Sequence, residues 1–435
     1  MRSRSLLLPA AGLAVAVLAA SCVGAVDTGK SSSGTNTITV WNGYSGRELD
    51  VFKSVVKDFE AANPGVSVTV VGQQNNDKLV QGLRGGSAPD VQWAASNDYV
   101  GLFCSSGGWI DLTDRIAKDG LDTGQFTPAS WQATQYDGKR CALPALGDVY
   151  GLYYNKKLFA QAGLKTPPKT FQQLTEYARK LTKRSPDGKL EVAGYLPLTN
   201  FYANRVQFYA PFFGAEWFDA DGKPATAASP GWKAYLGWQR DLVGSYGYEQ
   251  AKAFTAAAGQ PYSAANAFQQ GKLAMMIDGE YRTAFIKQFT PDLDFGTAPM
   301  PVTEQKAADY GMGYVVNHIA GVTKASKNPD LAWKLVKYLA TDEQAQVKLG
   351  NGLVNVPTWK PALASKDLVA DPAFKSFVAM QVHPASQTNP TTAAGAGYID
   401  PMSSFLEQWE SGRSADPAAG LAKVDEQITG LLGQR

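Results

Sequence analysis

Between residues 37 and 93 the apolar pattern switches from a period of two to a helical period and back, twice. No other feature constrains the fold as much. Thr37-Ile38-Thr39-Val40 alternates as a strand, and Trp41-Asn42-Gly43-Tyr44-Ser45-Gly46 breaks it. Val51, Phe52, Val55, Val56 and Phe59 then recur at helical spacing until Asn63-Pro64-Gly65 stops the helix. Val66, Val68 and Val70 form a second strand, residues 77–83 a second helix, and Ala88-Pro89-Asp90-Val91-Gln92-Trp93 a third strand. Strand, helix, strand, helix, strand predicts an α/β domain whose parallel sheet is wrapped by helices. Ligands bind such sheets beyond the carboxyl ends of the strands, here at Trp41 to Ser45 and at Gln92-Trp93.

Later segments extend the pattern. Leu152-Tyr153-Tyr154 reads as a strand, Thr170-Phe171-Gln172-Gln173 as a capping box, and Asp219-Ala220-Asp221-Gly222 as a turn. Ala264 to Gln270 is expected as a short helix and Leu273 to Ile277 as an apolar strand. Asn328-Pro329-Asp330 starts another helix, and Thr341-Asp342-Glu343-Gln344 is a second capping box.

The N-terminus carries Arg2 and Arg4, then an apolar stretch from Leu6 to Ala20, too short to span a bilayer. Ala19-Ala20-Ser21 and Cys22 follow. That order reads as a secretory signal over residues 1–21 and resembles the lipobox of bacterial lipoproteins, which implies lipid on Cys22. Residues 22–36, rich in Ser and Gly, are expected as a flexible tether to the outer face of the membrane. Cleavage would remove two arginines and leave 39 basic and 39 acidic residues. Balanced charge argues against a nucleic-acid partner. Cys104 and Cys141 remain, and outside the cytoplasm such a pair reads as a disulfide. No metal or cofactor spacing occurs, and neither does a G-x-S-x-G or H-E-x-x-H motif. His318 reads as a strand histidine and His383 as a loop residue, so no catalysis is expected.

Four stretches, taken in order, resemble the extracellular solute-binding proteins of the maltose-binding type. They are Ile38-Thr39-Val40-Trp41 with the helix ending Asn63-Pro64-Gly65-Val66; Gly85-Gly86-Ser87-Ala88-Pro89-Asp90-Val91; Leu143-Pro144 through Tyr150 to Asn155-Lys156; and Phe268-Gln269-Gln270-Gly271-Lys272-Leu273-Ala274-Met275-Met276. The resemblance implies a type II periplasmic-binding fold: two lobes, each a sheet flanked by helices, hinged about a central cleft. It implies lobe 1 from 37–148 and 300–353, and lobe 2 from 149–299 and 354–435. Crossings are expected near Asp148-Val149, Pro299 to Met312, and Val354 to Pro357. The implied role is capture of a carbohydrate, mono- or oligosaccharide, by lobe closure, with delivery to the transmembrane subunits of an ABC permease. The implied state is monomeric. An oligopeptide ligand, a sensing role and an extracellular glycoside hydrolase stay open as alternatives.

A sugar site needs aromatic platforms for C–H faces, and carboxylates or amides for hydroxyls. The chain has 10 Trp and 19 Tyr to draw on. Candidates at strand ends are Trp41, Tyr44, Gln92 and Trp93, with Trp41 and Trp93 open to a core reading. Asp148 and Tyr150 flank the first crossing, and Trp217 lies in an aromatic stretch beside Glu216. Asp278 either accepts hydroxyls or caps the helix after it, and Tyr281 stands where the family often has Trp. Gly311 and Gly313 permit close approach or hinge torsions at the second crossing, beside Tyr314. Asn355 is a further candidate at the third.

Overall fold

The computed structural model describes residues 36–369 and 371–433. The expected signal, Cys22 and the tether up to residue 35 lie outside the described residues. The N-terminal alternation folds as read: β1 (Thr37–Trp41), α1 (Gly46–Ala61), β2 (Ser67–Val71), α2 (Asn76–Gly85) and β3 (Val91–Ala94). β1 pairs in parallel with both β2 and β3. α1 buries Phe52, Val55, Val56 and Phe59, the apolar stripe seen in the sequence.

The central element is β4 (Leu143–Asn155), a 13-residue strand. Further strands are β5 (Met275–Gly279), β6 (Phe295–Ala298), β7 (Tyr314–Val322) and β8 (Val356–Pro357). One eight-stranded sheet runs β6-β4-β7-β3-β1-β2, with β5 and β8 also paired to β4. The first part of β4 pairs with β7 and β8, and the part from Tyr150 onward pairs with β5 and β6. The two lobes therefore share one continuous sheet, with β4 running through both.

Each end of that sheet has its own core. One gathers Ile38, Phe52, Phe59, Trp93, Leu146, Val322, Trp333 and Leu339. The other gathers Leu152, Tyr153, Phe171, Tyr209, Trp232, Phe268, Met276 and Leu406. Met300, Val302 and Met312 still pack in the second core, so the cores hand over later than the boundary expected at residue 300. Trp359 and Ala362 pack in the first core, beyond the boundary expected at 354. Cys104 and Cys141 are bonded, with Cα atoms 5.6 Å apart.

Two local expectations need correction. Ala264 to Gln270 forms turns rather than a helix. The Asn266 side chain accepts from Phe268 N–H at 3.0 Å and donates to the Pro261 carbonyl at 3.0 Å, an alternative to helical bonding. The second capping box is displaced by one residue. Thr341 closes the helix Pro329–Thr341, and Asp342 caps the next by accepting from Ala345 N–H at 2.9 Å.

Candidate functional site

Where β4 passes from one core to the other, a cavity of about 580 Å³ opens between residues from both ends of the sheet. Its volume lies in the range of small-molecule sites. Tyr44 and Ala95 line it from the loops after β1 and β3, and Arg47 and Glu48 from the first turn of α1. Tyr262 lines it from the turns before β5, Tyr281, Phe285 and Gln288 from the start and body of the helix Arg282–Phe289 after β5, and Asp148, His318 and Asn355 from the crossing strands and the loop before β8.

The aromatic side is built on a buried ion pair. Arg282 Nε lies 2.7 Å from Asp278 Oδ2, with both side chains almost wholly buried, the acid on β5 and the arginine four residues on at the start of the next helix. Arg282 also donates to the Pro261 carbonyl at 2.7 Å, and its guanidinium lies 5.4 Å from the ring centroids of Tyr262 and Phe285. Tyr262, 55% exposed, is one of two large apolar side chains left open among the described residues. Its ring centroid is 6.2 Å from that of Tyr281. Burial, followed by the charge of Asp278, pushes the hydroxyl of Tyr281 well above the usual phenol range. Burial does the same to Tyr150 and, to a lesser degree, Tyr262. All three keep their protons at neutral pH, and Tyr262 and Tyr281, which line the cavity, can donate to hydroxyl oxygens.

The polar floor is a chain of hydrogen bonds. Trp93 Nε1–H donates to the Tyr44 hydroxyl at 3.0 Å, and that hydroxyl lies 2.7 Å from His318 Nδ1. The direction of the Tyr44–His318 bond follows the imidazole tautomer, since the Tyr44 oxygen can accept a second hydrogen bond or donate its own proton. Nε2 faces Asp148 Oδ1 at 3.3 Å. Asn355 Nδ2 donates to the same Asp148 oxygen and, at 2.8 Å, to Glu280 Oε1.

Of the expected residues, Tyr44, Asp148 and Tyr281 meet in this cavity, as does Asn355. The others lie elsewhere. Trp41 packs its ring on Gly82, and Trp93 is fully buried in the first core. Gln92 is buried and donates to the Trp93 carbonyl at 3.1 Å. β3 lies between β1 and β7, so all four of its residues are buried. Asp278 is tied to Arg282 rather than to the cavity or a helix cap. Tyr150 is buried against Phe208, with ring centroids 3.9 Å apart. Trp217 and Tyr314 line a separate cavity of about 320 Å³. Gly311, at φ +119, faces the His383 ring, and Gly313 packs against Val149 and Met380. Arg47, Glu48, Tyr262, Phe285 and Gln288 escaped the sequence reading, and His318, read only as a strand histidine, also lines the cavity. The i,i+4 spacing of Asp278 and Arg282 was the one signal that could have pointed to the ion pair under the aromatic side.

The model of the bacterial extracellular solute-binding proteins matches residues 45–346. The "Maltotriose-binding protein" of Pyrococcus abyssi is 24% identical over 408 residues, covering 92% of this chain and 83% of that protein. The "Maltooligosaccharide ABC transporter solute-binding lipoprotein" of Streptococcus pneumoniae is 29% identical over 335 residues, covering 74% of this chain and 71% of that protein. Among solved structures, CpMnBP1 with mannotriose bound superposes with a TM-score of 0.77 at 26% identity, covering 90% of this chain and 99% of that one. The fold is the two-lobed type II arrangement of these binding proteins.

Proposed function

The chain belongs to the bacterial extracellular solute-binding proteins, and from that premise we propose that it captures a mono- or oligosaccharide in the Asp148 cavity and hands it to an ABC permease. The observation that carries this reading is the pairing of an open aromatic side, Tyr262, Tyr281 and Phe285, with a floor of carboxylate, amide and imidazole. Pyranose rings present an apolar face and a rim of hydroxyls, and such a pocket answers both. The names of the relatives, which speak of maltotriose and maltooligosaccharides, support the same ligand class.

Capture works through closure. The cavity takes side chains from the β1 end of the sheet (Tyr44) and from the segments around β5 at its other end (Tyr262, Tyr281), so a ligand touching both favours the state in which they approach. The ligand shifts the hinge equilibrium by the difference in its affinity for the two states. We propose no bond-breaking step. The relatives are solute-binding proteins, and capture and release need no covalent chemistry. The secretory signal over 1–21, lipid on Cys22 and the tether belong to the same proposal. They would hold a monomeric binding protein at the outer face of the membrane, close to its permease.

A thermal-shift screen of the purified protein against mono- and oligosaccharides, with oligopeptides as controls, tests the proposal. A ligand at a hundred times its dissociation constant adds about 2.7 kcal/mol. A rise confined to one sugar class supports the reading; a rise with peptides alone overturns the choice of ligand.

A further inference from the structure

Glu280 is fully buried next to the cavity, yet it does not line it. Its Oε2 accepts from Val149 N–H at 2.6 Å and its Oε1 from Asn355 Nδ2 at 2.8 Å. The same Asn355 nitrogen donates to Asp148. Two carboxyl groups therefore share one amide donor. The cation two residues on, Arg282, is already paired with Asp278. From the elements packed around it, Glu280 faces Asp148 and Tyr153 of β4 and Asn355 of the loop before β8, with His318 of β7 reached through Asp148. Asp148 opens to the cavity, with His318 Nε2 at 3.3 Å from its Oδ1, whereas Glu280 is fully buried.

We propose that Glu280 is a neutral positioning acid: it keeps its proton, anchors Asn355 from behind, and thereby fixes the Asp148 carboxylate where a sugar hydroxyl can donate to it. Two negative charges on one amide inside a buried site would repel and split the junction of β4 with the loop before β8. A single proton removes that conflict. Burial, and then the charge of Asp148, hold the Glu280 carboxyl well above the usual carboxylate range, in agreement with the geometry. Glu280 thus acts through Asn355 without touching the ligand. The inference rests on the cavity being the sugar site only in its last step.

The test combines infrared difference spectra with binding. At pH 7 without ligand, wild type minus Glu280→Gln should show the carbonyl stretch of a protonated carboxyl group. Absence of that band, with both proteins folded, overturns the proposal. Isothermal titration with maltotriose and mannotriose should then show Glu280→Ala weakened by about tenfold, the scale of a buried donor left unsatisfied. Glu280→Gln, neutral and of the same shape, should recover most of that loss. A Gln variant as weak as the Ala variant overturns the positioning role. If wild type binds neither trisaccharide, the sugar reading falls, and the infrared band still decides the state of Glu280.

Discussion

Replacing Arg282 with methionine gives the sharpest test of how the aromatic side is held. The Arg282–Asp278 contact of 2.7 Å joins side chains 1% and 2% exposed. At an effective dielectric near 20, a unit pair at that distance attracts by about 6 kcal/mol. Much of this offsets the desolvation of the two ions, so the intact pair adds little net stability. Breaking it is different, because Asp278 is then left charged and buried, which costs about 3–5 kcal/mol. Arg282→Met should therefore lower the urea midpoint at unchanged slope. Asp278→Asn combined with Arg282→Met removes the stranded charge and should regain about 2 kcal/mol or more of the loss. Sugar affinity should not return with it. Both variants lack the donor to the Pro261 carbonyl and the cation beside the Tyr262 and Phe285 rings. Both should bind maltotriose several-fold more weakly by calorimetry. A single variant within 1 kcal/mol of wild type, or a double variant no more stable than the single, would refute the reasoning.

Tyr281→Ala and Tyr262→Ala should each weaken sugar binding by about 1 kcal/mol or more, read by titration, while unchanged affinity in both would remove the aromatic side from the site. Trp217, packed on Trp232 and Tyr398 with centroids 4.6 and 5.0 Å away, behaves as core. Its alanine variant should lose about 3–5 kcal/mol in denaturant melts, in contrast to the cavity tyrosines. The native protein should show no labelled thiol at Cys104 or Cys141, and reduction should cost about 4 kcal/mol for a separation of 37 residues. Glu410, accepting from Thr199 N–H at 2.9 Å and Gln239 Nε2 at 3.0 Å, is pushed up to about 7 by burial. The native state then holds this proton more tightly than the unfolded chain. The resulting stability is full below the ordinary glutamate value of 4.5 and is lost as pH rises through about 7. Glu410→Gln should melt above wild type at pH 8, by up to about 3 kcal/mol, and a constant difference from pH 4 to 8 would contradict this.

The parts of the fold legible in the sequence are those set by near neighbours. The β1-to-β3 unit follows from period alone, since alternation and helical spacing each decide which side chains face the core. Sequence reasoning fails where a side chain competes with the backbone, as Asn266 does in the turns that replace the expected helix. It also fails where strand order decides exposure. Gln92 and Trp93 end a strand, which suggested a cleft, but β3 lies inside the sheet and both faces are covered. Asp278 reads as a hydroxyl acceptor or a cap of the helix after it, but its charge is taken by Arg282, four residues on at that helix's start.

The site itself depends on separations that no local pattern spans. Tyr44, Asp148, His318 and Asn355 become neighbours only because β4 and β7 run side by side through the handover, with Val316 opposite Asp148. Each of these residues has an ordinary local role: a loop tyrosine, a strand acid, a strand histidine, a loop amide. Their chemistry arises from pairing. Tyr44 orients His318, His318 and Asn355 hold Asp148, and Asn355 ties Asp148 to Glu280. This chain of bonds crosses from the first core to the second through the floor of the cavity. A ligand that engages Asp148 therefore meets a group already bound to both ends of the sheet, and any movement of one core relative to the other must reorient that carboxylate. Binding and closure are thereby coupled at a single side chain, which makes Asp148→Asn the substitution expected to change affinity and hinge motion together.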